Sequence, residues 1–196
     1  TSKRGLVDAY ILTPDKTPIA RQKLWDMAES AEVRKDARTA REYEVALPHE
    51  LPEHVAIECA HRFASGLVQR YGCAADIAIH SHGAGDKRNL HAHILTTTRR
   101  LENGQLTEKT HAELSDKKLR SLGIAPGDEQ VTKLRAAWAA IVNDACRDYG
   151  IPGVSPLSLK AQGIDREPPV HLGPQASAME RRGIRTRLGN ENRHAL

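Results

Sequence analysis

Aromatic residues make up only 4% of this chain: two Trp, four Tyr and one Phe in 196 residues. That scarcity rules out a core of stacked rings and leaves Ala, Leu, Ile and Val to fill it. Cysteine is equally sparse. Cys59, Cys73 and Cys146 are odd in number and far apart, without C-x-x-C spacing, which points to buried free thiols in a reducing compartment. No apolar run reaches membrane-spanning length. The polar start "TSKRGLVDAY" lacks the hydrophobic segment of a signal peptide. The expectation is a cytoplasmic protein with no membrane partner. The start also lacks an initiator Met, so a fragment of a longer protein is expected.

What the chain does contain is 39% hydrophobic and 28% charged residues, enough for one globular domain with its own core. A formal charge of +4 leans mildly toward polyanionic partners. "LVDAYIL" reads as a short strand. "IARQKLWDMAESAEVRK", after Pro18, has apolar residues at helical spacing. "REYEVALP" alternates, with Tyr43, Val45 and Leu47 on one face and Glu42 and Glu44 on the other. "PEHVAIECAHRFASGLVQRYG" reads as a helix stopped by Gly72. "CAADIAIH" and "HAHILTTTRR" read as strands on either side of a Gly-rich basic loop, "SHGAGDKRNL". "NGQ" at Asn103–Gln105 marks a turn, and "DEQVTKLRAAWAAIVNDACRDYG" is the clearest helix. Beyond it Pro and Gly become frequent. Residues 151–196 read as an extended, basic C-terminal segment with one short helix near "QASAMERRG". Strands and helices mix without a βαβ rhythm, so the expected class is α+β, with a central antiparallel β-sheet flanked by helices.

The stretch "IHSHGAGDKRNLHAHIL" holds four histidines. His91 and His93, two apart on a strand, share one face. His80 ends the preceding strand. An antiparallel return through the loop brings it to the same face, where three imidazoles converge. Neutral imidazoles bind metals while leaving the dication's charge and open coordination positions. Such an ion grips a phosphate oxygen and stabilises charge as a bond breaks. His82 falls in the loop, outside this convergence. Glu42 and Glu44 lie on one strand face. Either could accept the distal N–H of a ligand histidine, or both could simply be solvated. Asp86, Lys87 and Arg88 read as surface charge of the loop, with Lys87 and Arg88 near enough to such a metal to offer phosphate contact.

These residues resemble a family. "REYEVALPHELP", "FASGLVQRYG" and "DIAIHSHGAGDKRNLHAHILTTTR" are similar to the MobA/MobL class of conjugative relaxases, within the His-hydrophobic-His group. The late stretch "SLKAQGIDREPPVHLGPQASAMERRGIRT" resembles a second block of the same family. The resemblance runs from about Gly5 to Asn190, and it implies a single relaxase domain over residues 1–196. It implies metal-dependent, site- and strand-specific nicking and rejoining of single-stranded DNA at a plasmid transfer origin. A tyrosine attacks the scissile phosphate and leaves a 5′-phosphotyrosyl link. The metal ligands it implies are His80, His91 and His93, holding Mn2+ or Mg2+, with Zn2+ as an alternative. A carboxylate from the Glu42/Glu44 strand would support them. Partners would be the origin single strand with an adjacent hairpin, and accessory relaxosome proteins.

Two departures stand out. The family's N-terminal strand and tyrosine helix have no counterpart here, so the nucleophile is expected upstream of Thr1. Tyr43, Tyr71 and Tyr149 read as packing residues, and Tyr10 falls where the family needs no tyrosine. The family's acidic residue and arginine are replaced by Ser155 and Leu157. Arg181, Arg182, Arg185, Arg187 and Arg193 crowd the end of the chain, where guanidinium groups could clamp a DNA backbone or simply form a solvated basic tail. Phe63, Trp25 and Trp138 sit in helical patterns, which leaves few stacking platforms for bases. Two rival readings share these features: a rolling-circle replication initiator, and a nicking-incompetent DNA- or metal-binding fragment.

Overall fold

The computed structural model describes residues 5–82 and 86–194, with only the backbone of 82 and 86–88. The chain divides into two compact units, Thr1–Val154 and Ser155–Leu196.

The first unit is built on strands β1 (Leu6–Leu12), β2 (Ala40–Ala46), β3 (Ala75–His82) and β4 (Asp86–Thr97). They form one antiparallel sheet in the order β1-β3-β4-β2. Alternation gives this sheet two different faces. Val45, Ile77, Ile79, Ala92 and Ile94 point to one face and are buried. Helix α2 (Glu53–Tyr71) covers them with Ala56, Ala60, Phe63, Ala64 and Leu67, and α4 (Gly127–Asp148) adds Val142, Ala145 and Cys146. Burying each of Ile77, Ile79 and Ile94 contributes about 1.5–3 kcal/mol. Glu42, Glu44, His80, His91 and His93 occupy alternate positions on the opposite face, which these helices leave open. As expected, all three cysteines are buried and free. Burial pushes the Cys73 thiol up to about 12, so it stays protonated and unreactive.

Helix α1 (Arg21–Ser30) packs through Leu24 and Met27 against Ile11, Ala74 and Leu101, at one end of the open face. It is shorter at both ends than its apolar periodicity suggests. Ile19 and Pro18 precede it, and the chain leaves the helix after Ser30. Glu32 is drawn instead to Lys109 Nζ at 2.5 Å and Arg99 Nε at 2.9 Å. The turn at Asn103–Gly104, with positive φ at both residues, closes a hairpin of β5 (Arg99–Glu102) and β6 (Gln105–Lys109). A short helix α3 (Asp116–Ser121) follows, capped by Ser115. Gly72 ends α2 at φ 64°, and a Cβ there would lie 3.0 Å from the Arg100 guanidinium carbon.

The basic loop is shorter than the sequence implies. β3 continues through His82 and β4 starts at Asp86, because the ladder resumes at His82↔Asp86 after an irregularity beside His80.

The second unit contains α5 (Gly173–Arg181) and α6 (Arg187–His194). Only the first was legible as a helix. Glu180 joins the two. It accepts hydrogen bonds from the Thr186 backbone N–H at 2.6 Å, the Thr186 hydroxyl at 2.8 Å and Arg193 Nη1 at 2.8 Å. Among the described residues, no helix is long and apolar enough to cross a membrane.

Candidate functional site

Register builds the site. His80 pairs directly with His91 across β3 and β4, and Glu44 pairs with His93 across β2 and β4. Directly opposed residues on one face sit within about 4.5–5.5 Å at Cβ, so three strands deliver four side chains to one patch. The His91 and His93 rings are 5.0 Å apart, centroid to centroid. The His80 ring lies 5.9 Å from His91 and 5.5 Å from His93. Glu44, His91 and His93 each offer one donor atom within 4.8 Å of the others. His80 flanks this group from β3.

Two hydrogen bonds select the tautomers. His93 Nδ1 lies 2.6 Å from Glu42 Oε1, and His91 Nδ1 lies 3.0 Å from the Asn89 carbonyl oxygen. A carboxylate and a carbonyl only accept, so each Nδ1 must donate its N–H. That makes Nε2 the ring atom each histidine could offer to a metal. A borderline or hard divalent cation is suited to two imidazole nitrogens and a carboxylate oxygen. The donor set therefore fits the metal that the sequence suggested. The two glutamates separate in role. Glu42 touches the back of His93, whereas Glu44 sits among the donor atoms.

None of the four tyrosines faces this patch. Tyr10 pairs with Ile77 and Tyr43 with Ile94, which puts both on the helix-covered face. Burial, reinforced for Tyr10 by Asp8 and Glu58, pushes the Tyr10 phenol far above its usual range. Its Oη has no hydrogen-bond partner among the described residues, while its ring lies 3.8 Å from that of His61. Tyr43 is likewise raised by burial. Tyr71 is buried and donates to Gln130, and Tyr149 caps α4.

The side chains of His82, Lys87 and Arg88 lie outside the described residues. In the second unit Arg187 pairs with Glu191. Arg181, Arg182 and Arg185 are exposed, with no acidic partner among the described residues. Sequence reasoning missed one cluster on the open face. Asp76, 7% exposed, accepts from Arg21 Nε at 3.0 and 2.8 Å and from Trp25 Nε1 at 2.8 Å. The i, i+4 spacing of Arg21 and Trp25 was visible, but nothing local pairs them with a strand more than fifty residues away.

The family model described as the MobA/MobL family matches residues 1–182. The chain is 28% identical over 205 residues to mobilization protein MobL of Acidithiobacillus ferridurans, a match covering 93% of this chain and 53% of that protein. It is 35% identical over 176 residues to mobilization protein A of Escherichia coli, covering 83% of this chain and 23% of that protein. It thus spans about half the length of the first relative and less than a quarter of the second. A solved structure described as the molecular basis of vancomycin resistance transfer in Staphylococcus aureus superposes with a TM-score of 0.63 at 27% identity, covering 78% of this chain and 76% of that one.

Proposed function

The chain belongs to the MobA/MobL family, and from that membership we propose that it is a conjugative relaxase domain. It nicks and rejoins one strand of DNA at a plasmid transfer origin. Its partners are the origin single strand with its adjacent hairpin and the accessory relaxosome proteins, in the cytoplasm. Residues 1–196 belong to one relaxase domain, with 151–196 as its basic C-terminal segment.

One observation carries this reading: Glu44, His91 and His93 bring their donor atoms within 4.8 Å of one another on an open sheet face, with His80 beside them. These residues would hold a divalent metal, Mn2+ or Mg2+. When bound, it would supply Lewis-acid polarisation of the scissile phosphate. His91 and His93 would turn Nε2 to the metal, because Asn89 and Glu42 hold their Nδ1 atoms. Glu42 also fixes the His93 ring angle.

The attacking tyrosine is none of the four in this chain, since all four lie away from the histidines. In the proposed reaction its phenolic oxygen bonds to phosphorus, and the 3′-oxygen leaves and takes a proton. Reversal rejoins the strand.

The test is cleavage of a single-stranded origin oligonucleotide by the gene-length protein. Cleavage that requires Mn2+, leaves protein on the 5′ end and disappears in His91→Ala is the expected result. Undiminished cleavage by His91→Ala would refute the site. The tyrosine geometry favours a second reading, in which these residues act only as a DNA- and metal-binding fragment. Metal-dependent DNA binding without any nicking by the gene-length protein would establish it.

A further inference from the structure

Beside the histidines, the open face carries a second group with a different chemistry. The sheet register lays the face out in rows. Leu6, His80 and His91 form one row. Ala9, Ala78, His93 and Glu44 form the next, and Ile11, Asp76, Leu95 and Glu42 the third. Asp76 and His93 are therefore diagonal neighbours, about 7–8 Å apart. Between Asp76 and His80 on β3 the floor is Ala78, and beside it Ala9, so these small residues leave the path low among the described residues. Helix α1 stands over Asp76 and presents Arg21 and Trp25.

The carboxylate of Asp76 fixes both groups while using little of either. It takes one N–H from Arg21, at Nε, and the indole N–H of Trp25. The Arg21 side chain remains 51% exposed. Its Nη1 and Nη2 donors have no acceptor among the described residues. Trp25 is half-buried, its indole angle set by the Nε1 bond. No acidic residue stands in the first turn of α1 to repel an anion. A rigidly held indole beside an oriented guanidinium fork is the equipment that single-strand binders use. Base stacking on the ring tolerates any sequence, and the fork holds phosphate.

We propose that Trp25 and Arg21, oriented by Asp76, form a nucleotide-binding subsite for the single strand next to the phosphate at the histidines. The ring stacks a base, and the distal guanidinium donors hold the adjoining backbone phosphate. This rests on the proposed relaxase reading and adds where the strand runs: over Ala78 and Ala9, toward α1.

The experiment titrates the chain with oligothymidylate in EDTA and follows tryptophan emission. A Trp138→Phe background leaves Trp25 as the sole indole. Trp138 packs edge-on against Phe63 and takes no part in the proposed subsite. Trp25 emission should quench on binding. Trp25→Ala should weaken binding about 5- to 150-fold, the range expected for one lost stack, and Trp25→Phe should restore most of it. Arg21→Ala should lower the slope of log K against log salt by about 0.7, one single-strand phosphate, and Arg21→Lys should restore the slope. A merely structural role would instead lower the melting temperature in Trp25→Phe and Arg21→Lys and leave the slope alone. If Trp25→Ala fails to fold, quenching in Trp138→Phe still decides. Tight binding by the unmutated chain without Trp25 quenching and with an unchanged Arg21→Ala slope would overturn the subsite alone. No binding by the unmutated chain would overturn the relaxase reading with it.

Discussion

Glu42 and Glu44 differ by one pleat and act on opposite sides of the same imidazole. Glu42 holds the proton of His93 Nδ1 at 2.6 Å, and Glu44 lies with the atoms that would meet the metal. A carboxylate behind a ligand histidine raises its basicity and fixes its rotation. Glu42→Gln should therefore weaken Mn2+ binding about 10- to 100-fold, the usual cost of losing such a partner, as read by electron paramagnetic resonance titration. An unchanged affinity would reduce Glu42 to a surface charge. Strand alternation had put both glutamates on one face, but their division of labour depends on Glu44 lying opposite His93, a pairing between strands about fifty residues apart. Tyr10 could be judged the same way only from the structure, because its side of the sheet is set by pairing with Ile77.

Helices α5 and α6 meet through one carboxylate. Arg193, together with the Thr186 backbone and hydroxyl, holds the Glu180 carboxyl down at about 2, from its usual 4.5. A depressed carboxyl contributes stability above its unfolded value, and that contribution is lost as pH falls through the folded one. The α5–α6 pairing should therefore persist at neutral and mildly acidic pH and fail between about 4.5 and 2. Far-UV circular dichroism and the Thr186 amide resonance would follow it. Glu180→Gln should remove that acid transition, and a transition unchanged in that variant would assign it elsewhere. Gly189 belongs to the same device, since a Cβ there would collide with the Glu180 carboxylate. The sequence "MERRGIRT" showed a helix and a basic cluster but not this joint, because the acceptor geometry depends on how the chain turns at Gly183, where φ is 78°. Helix α2, in contrast, was legible to its last residue, since its apolar stripe and its left-handed glycine stop are both local.

At the scale of the whole chain, a net charge of +4 is spread unevenly. Arg181, Arg182 and Arg185 are exposed without acidic partners among the described residues, whereas Arg187 is engaged by Glu191. Binding to a single strand should weaken linearly in log salt, each neutralised phosphate contributing about 0.7 to the slope. Replacing Arg181, Arg182 and Arg185 together with Ala should flatten the slope by about 2, and Arg187→Ala should change it less. Fluorescence anisotropy across a salt series would measure both. An equal effect of Arg187→Ala would mean that the Glu191 pair opens on binding.

Whatever depends on neighbours in the chain was already decided by the sequence. This includes the alternation that makes a two-faced sheet, the His-x-His pair on one side of β4, the stripe and stop of α2, and the burial of three thiols. Whatever depends on partners distant in the chain waited for the tertiary structure. The match of Glu44 to His93, the placing of Tyr10 and Tyr43 on the helix-covered face and the length of the β3–β4 hairpin are matters of register, and the capture of Arg21 and Trp25 by Asp76 is a matter of how α1 docks. The physical reason is that side-chain direction along a strand repeats every two residues and is readable locally. The lateral alignment of strands is set by the summed fit of the whole sheet against its helices.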